Sequence, residues 1–163
     1  MNASVTTNLG GLEVIVDARG RSEALYCAGP AVVDSKVIAA LKERMRAASA
    51  PTARICLHKD SSASVHDMII AHQKGAPTPM HKHLVKEETY QMIEGRLRLD
   101  FFSEEGALTH SVTLSEPGTG LPFLARVRPG LWHATVPETE FAIFHESRPG
   151  PFDGTDSIYR DEK

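Results

Sequence analysis

The histidines are the residues of this sequence whose spacing suggests chemistry most directly. Of its eight histidines, His81 and His83 stand two positions apart. Side chains two positions apart on a β-strand point to the same face, so the two imidazoles on such a strand would point the same way. His133 lies far downstream, just after the turn signal Pro129-Gly130. If the two segments lie side by side in one barrel, we expect the three imidazoles to converge.

A carboxylate near the histidine pair would complete a ligand set. Glu88 follows His83 by five positions, an odd offset that places it on the opposite face of a continuous strand. A bend at residues 84–87 can return it on a neighbouring strand, although a slip of one residue there would present Glu87 instead. Three nitrogen ligands and one oxygen ligand suit one divalent ion of iron, manganese, nickel, zinc or cobalt. The residues predict such a metal site and leave the ion's identity open.

Strands must position these residues, because apolar residues recur with period two from Thr52 onward. The pattern predicts eight strands, at residues 54–58, 65–72, 88–93, 96–102, 108–114, 123–128, 131–136 and 141–146. Turn signals rich in Gly and Pro separate them, and no helical pattern lies between them. Parallel strands need crossover helices, so we expect an antiparallel sandwich or barrel rather than a parallel α/β sheet.

The chain before Thr52 has a different pattern. Residues 12–17 alternate weakly and predict an edge strand, whereas residues 36–48 carry apolar side chains at helical spacing. Asp34 or Ser35 is placed to cap this amphipathic helix, and Pro51 ends the helical pattern. At 163 residues the chain is expected to form one domain. We divide it into an N-terminal segment (1–50), a barrel (51–147) and a C-terminal loop or tail (148–163).

Composition excludes several classes of protein. A net charge of −3 and a pI near 6.2 argue against a nucleic-acid binder, which usually carries a basic stripe. No apolar stretch approaches the length of a membrane span. Two cysteines are too few for a disulfide framework. Because the sequence also lacks a signal-peptide pattern, we expect a cytoplasmic protein that acts on a small molecule.

Two sequence motifs resemble those of the cupin superfamily. The spacing Gly75-x5-His81-x-His83-x4-Glu88-x6-Gly95 agrees with the first cupin motif at each defining position, and it favours Glu88 over Glu87. The segment Pro129-Gly130-Leu131-Trp132-His133 resembles the second motif. It departs from that motif in having Pro129 directly before Gly130, and Val136 where asparagine is usual. The resemblance implies a mainly β fold, a single cupin barrel (a jelly-roll-like double-stranded β-helix) behind the helix-containing N-terminal segment.

Further segments resemble the WbuC-type cupin proteins, which occur in surface-polysaccharide gene clusters. These segments are residues 54–58, 66–71, 79–83, 129–133 and the pattern Glu146-x-Arg148-x-Gly150-Pro151. The resemblance implies that His81, His83, Glu88 and His133 are the metal ligands and that the protein is a homodimer. Because the four ligands leave coordination positions open for a Lewis-acid metal, we expect a metal-dependent enzyme, isomerase- or epimerase-like, acting on a small saccharide or sugar acid. An Fe(II) dioxygenase and a non-catalytic metal- or sugar-binding module are the alternatives.

Other polar residues are candidates for the wall of the site. Tyr90 should share the inward face of Glu88, where it could contact a substrate oxygen, and His58 occupies a WbuC-type position suited to proton relay near the metal. We expect Arg54 in the pocket wall and His145 facing the barrel interior. His66, His72 and His110 are expected to be structural.

Overall fold

The computed structural model describes residues 5–17 and 22–160 of the chain. This part of the chain contains thirteen strands and one helix. They are β1 (Val5–Leu9), β2 (Leu12–Asp17), β3 (Glu23–Cys27), α1 (Ser35–Ala48), β4 (Thr52–Cys56), β5 (Val65–Gln73), β6 (His81–His83), β7 (Glu88–Glu94), β8 (Arg96–Phe102), β9 (Leu108–Ser115), β10 (Leu124–Val127), β11 (Trp132–Pro137), β12 (Phe141–Pro149) and β13 (Ser157–Tyr159). Each of the eight predicted strands is present, with ends that differ by up to three residues.

The strands form two sheets. The larger sheet has the order β1-β2-β3-β4-β5-β12-β7-β10, and the smaller has the order β13-β6-β11-β8-β9. All pairings are antiparallel except the parallel pairing of β3 with β4. The predicted antiparallel β-architecture is therefore confirmed.

Apolar side chains fill the space between the sheets. Met68, Ile70 and Phe144 of the larger sheet pack in one buried cluster with Leu97 and Leu99 of the smaller sheet. Side chains alternate between the two faces of each sheet, and near one end of this core the side chains on the inner face are polar. That end carries the histidines and carboxylates described below.

The helix α1 covers the other face of the larger sheet. Asp34 caps it, because its side chain accepts hydrogen bonds from the backbone N–H groups of Lys36 (2.9 Å) and Val37 (3.0 Å). Its buried stripe packs with residues of β4, β5 and β12 in the second core cluster. Members of that stripe are Val37, Ile38, Leu41 and Met45. The predicted amphipathic helix is confirmed, and it keeps solvent from the back of the sheet that carries part of the site.

The N-terminal strands correct one prediction. Residues 12–17 were predicted as an edge strand, but β2 lies between β1 and β3, and β1 forms the edge. The sequence did not signal β1 or β3, because neither has a regular alternation of apolar and polar residues. These three strands widen the larger sheet beyond the barrel.

The C-terminal segment is also more ordered than the sequence predicted. Residues 148–163 were predicted as a loop or tail, yet β12 continues to Pro149 and β13 pairs with β6 through Ser157↔His83 and Tyr159↔His81. A three-residue strand among Gly, Asp and Ser has no periodicity to detect, so its order comes from tertiary pairing. Residues 161–163 lie outside the described part of the chain.

Candidate metal centre

Four side chains predicted as ligands meet at one end of the barrel. His81, His83, Glu88 and His133 each offer a ligand atom, and these atoms all lie within 4.8 Å of one another. All four residues are buried. The strand pairing explains the convergence, because His133 of β11 stands directly opposite His81 of β6.

The bend between β6 and β7 decides which carboxylate joins the cluster. Glu88 opens β7 and is 2% exposed. Glu87 instead forms an ion pair with Arg126 of the neighbouring strand β10. Glu88, and not Glu87, is therefore the carboxylate that joins the histidine cluster.

Backbone carbonyls orient two of the imidazoles. His81 Nδ1 lies 2.9 Å from the carbonyl oxygen of Pro79, and His133 Nδ1 lies 2.9 Å from that of Leu131. A carbonyl only accepts, so Nδ1 carries a hydrogen in both rings, and Nε2 is the nitrogen that each ring can offer to a metal. Burial and the neighbouring His133 also lower the pKa of His81 to about 4, so its ring is neutral at pH 7, the form that binds a metal.

Residues of the C-terminal strand region hold the third imidazole. His83 Nδ1 lies 3.1 Å from Ser157 Oγ and 3.3 Å from Asp156 Oδ2. Its Nε2 is 2.9 Å from Glu88 Oε1, but this buried nitrogen forms no hydrogen bond with residues 5–17 or 22–160. A buried nitrogen without a partner is costly, and a cation between it and the carboxylate would satisfy it. The donor set therefore fits a divalent metal ion.

Glu88 is held as a carboxylate by its neighbours. Tyr90 donates a hydrogen bond to its Oε2 (2.6 Å), and Arg148 Nη1 donates to its Oε1 (2.8 Å). Burial opposes ionisation of Glu88, but His133, His83 and Arg148 together hold its pKa well below the usual range. Burial and the charges of Glu88 and Glu146 raise the pKa of Tyr90. Tyr90 therefore stays a hydrogen-bond donor beside the ligand set, on the inward face expected for it.

The structure does not bring His58 to the four ligands. Its Nδ1 lies 3.2 Å from the carbonyl oxygen of Asp67, and its ring stacks on His66 with 4.0 Å between centroids. His145, expected to face the interior, instead points away from the barrel core, where its Nε2 lies 3.2 Å from Asp67 Oδ1. His110 stacks on Phe101 at an exposed position.

A cavity of about 400 Å³ adjoins the cluster on the inner face of the larger sheet. Arg148 belongs to both, because it lines the cavity and donates to Glu88. Other polar residues of the cavity include Arg54, His58, His66 and Glu146. Arg54 in the pocket wall agrees with the sequence expectation. A second cavity, of about 580 Å³, lies between α1 and the outer face of this sheet, away from the four ligands.

The sequence predicted no role in the site for four residues that the structure places there: Glu146 and Arg148, which belong to the WbuC-type pattern, and Asp156 and Ser157. Glu146 and Arg148 could have been found from the sequence. They follow Phe144 at intervals of two residues on β12, so they share its inward face. Glu146 is buried, and burial together with the nearby Glu88 raises its pKa to about 8. Asp156 and Ser157 carried no signal, because they depend on the pairing of β13 with β6.

The fold and the buried three-histidine, one-carboxylate cluster define a protein of the cupin fold. A family model described as a domain of unknown function (DUF6016) matches residues 33–114, half of the chain, and the chain belongs to that family. No curated protein sequence matches the chain.

Several solved structures superpose on part of the chain. Protein SO0799 of Shewanella oneidensis superposes with a TM-score of 0.54 at 16% identity, over 66% of this chain and 73% of that one. Oxalate decarboxylase of Bacillus subtilis gives a TM-score of 0.48 at 22% identity over 60% of this chain, which spans only 24% of the decarboxylase. Oxalate oxidase in complex with glycolate gives 0.47 at 16% identity, over 59% of this chain and 46% of the oxidase. The described helix is too short and too polar to cross a bilayer.

Proposed function

We propose that this protein is a metal-dependent enzyme, isomerase- or epimerase-like, that acts on a small saccharide or sugar acid. The observation that carries the proposal is the buried cluster of His81, His83, Glu88 and His133 beside a polar cavity. The likeness to WbuC-type sequences supports it and suggests a place in surface-polysaccharide metabolism. Perturbed ionisable groups in a cleft are typical of catalytic sites.

Isomerisation or epimerisation through an enediol or enolate needs a proton to leave the carbon beside the carbonyl, and a proton to return to the neighbouring carbon or to the same one. A divalent ion bound to the four ligands would supply Lewis acidity toward a hydroxyl–carbonyl pair. Glu146 faces the cavity with a pKa near 8, so its carboxyl can hold or release a proton close to neutral pH. The Tyr90 hydroxyl donates a hydrogen bond to Glu88, and this contact fixes it at a position where it can orient a substrate oxygen.

Solvent deuterium exchange tests this function. The metal-loaded protein is incubated in D₂O with a panel of aldoses, ketoses and aldonic acids, and deuterium beside the carbonyl is followed by NMR. We expect incorporation that stops on metal removal. Glu146→Gln should lower the rate by about a hundredfold or more without changing metal content, whereas Glu116→Gln, an exposed residue of a turn, should not change the rate.

Three results would contradict this proposal. Oxygen consumption by the Fe(II)-loaded protein, without deuterium exchange, would reassign the protein as a dioxygenase. Substrate binding with neither activity would reassign it as a non-catalytic metal- or sugar-binding module. Exchange that survives complete metal removal would also reject the Lewis-acid role.

A further inference from the structure

The cavity beside the metal centre contains an arginine, Arg54, that forms no ion pair within the described part of the chain. Other partly buried arginines pair with carboxylates, as Arg44 does with Glu23 (2.6 Å) and Arg148 with Glu88 (2.8 Å), whereas Arg160 donates to the backbone carbonyl of Glu104 and lies over the Trp132 ring. Arg54 is half-buried and lines the cavity, yet it forms no ion pair or side-chain hydrogen bond with residues 5–17 or 22–160. Burying part of an unpaired charge is costly, so this guanidinium is a candidate for ligand recognition.

The strand register places Arg54 on the same concave surface as the residues near the metal centre. Arg54 and Cys56 alternate inward on β4, whereas Ala53 and Ile55 pack in the core cluster on the opposite face. Two strands away, β12 sends Glu146 and Arg148 into the same cavity. The cavity therefore extends from Arg54 to the Arg148 side chain that touches Glu88.

Glu146 lines the same cavity as Arg54, but the two side chains form no ion pair in the described part of the chain. Burial and the charge of Glu88 raise the pKa of Glu146 to about 8, and the charges of Arg148 and Arg54 only partly oppose this rise. Burial also lowers the pKa of His58 and of His66, so both rings are mostly neutral. The remaining carboxylate of the cavity is that of Asp17, whose Cα lies two strands and roughly 10 Å from the Cα of Arg54, with Ala24 between them. Within the described ranges, no ion pair joins the side chains of Asp17 and Arg54.

We propose that this cavity binds the anionic end of a small sugar derivative, with Arg54 as the residue that selects the anion. Its volume of about 400 Å³ falls in the range of small-molecule sites. Guanidinium recognises carboxylate and phosphate through the same paired hydrogen bonds. This inference rests on the proposed function, because it names the substrate class of that site.

Matched probes test the inference. Binding of gluconate, glucose 6-phosphate and glucitol is measured by titration calorimetry; glucitol has the carbon chain of gluconate without its charge. We expect at least one anion to bind about tenfold more tightly than glucitol, a difference of about 1.4 kcal/mol. The better of the two anions identifies carboxylate or phosphate as the recognised group. The titrations are repeated on metal-free protein, where an anion cannot bind through the metal.

Variants test whether Arg54 causes the preference for an anion over glucitol. Arg54→Gln should remove the preference for the anion at unchanged metal content, and Arg54→Lys should retain part of it. Arg96→Gln is the control, because Arg96 is exposed at the start of β8. Equal binding of anion and glucitol, no binding of any probe, or a preference that survives Arg54→Gln would overturn the inference. A protein that prefers the anion but takes up no metal would support the inference and contradict the metal-dependent function.

Discussion

At the scale of single residues, burial and neighbouring groups together set the protonation states on which the site depends. His81 is kept neutral, Glu88 is kept charged, and Glu146 is kept largely protonated at neutral pH. The ligand residues themselves could be predicted, because their spacing agrees with the cupin motifs, although β6, the short strand that carries His81 and His83, was not among the eight predicted strands. Glu146 could not be predicted as an ionisable group with a shifted pKa, since that shift comes from neighbours that only the fold assembles.

His72 gives the clearest dependence of stability on pH. It is buried against Phe144, its Nδ1 has no hydrogen-bond partner in the described part of the chain, and burial lowers its pKa to about 4. The unfolded chain binds a proton at this residue near pH 6.5, so the unfolded state holds more protons between pH 4 and 6.5. The stability that the neutral, buried His72 contributes is therefore fully present above about pH 6.5 and is lost as the pH falls toward 4.

We expect His72→Leu to remove this part of the acid sensitivity. The measurement is urea unfolding of metal-free protein from pH 7 to pH 4, for wild type and variant. The free energy of unfolding should fall by up to about 3 kcal/mol more in the wild type than in the variant. Other groups, His81 among them, affect both proteins alike and cancel in the comparison. Parallel pH profiles for the two proteins would show that His72 is not buried as described.

At the scale of elements, β13 connects the C-terminal segment to the metal centre. It pairs with β6, and the residues around it include Asp156 and Ser157 beside His83 and Tyr159, whose ring stacks on that of His81. Asp156 also accepts a hydrogen bond from the backbone N–H of Val85 (2.9 Å), in the bend before Glu88. This short element therefore positions ligands on both sides of the bend.

Asp156→Asn tests whether this element tunes the metal site. The substitution keeps size and leaves one oxygen for Val85, but it removes the carboxylate beside His83 Nδ1. We expect metal affinity to fall by about tenfold to a hundredfold, as for other partners of ligand histidines. Metal titration gives the dissociation constant, and circular dichroism checks that the fold is kept.

Asp153→Asn is the matched control for that substitution. Asp153 is exposed and accepts hydrogen bonds only from Thr155 among the described residues, so its variant should bind metal as the wild type does. If Asp156→Asn also binds like the wild type, the C-terminal strand does not support the site.

At the scale of the whole molecule, the sequence predicted the barrel and not the elements added to it. The eight predicted strands have apolar residues at every second position, and two sheets that bury those residues follow from that pattern. By contrast, β1, β3 and β13 have little such pattern, and they are ordered by pairing with strands already in place. Those added strands supply part of the cavity and the partners of His83, so the site is larger than the four ligands that the motifs predicted.

The metal content of the protein tests the central claim most directly. Protein purified without a chelating tag is incubated with iron, manganese, nickel or zinc, desalted and analysed by mass spectrometry for bound metal. We expect about one divalent ion per chain, and loss of that ion in His133→Ala, because His133 is the ligand contributed by β11. His110→Ala removes an exposed histidine and should retain the ion. A wild type that takes up none of these metals, or a His133→Ala variant that retains the full amount, would contradict the account.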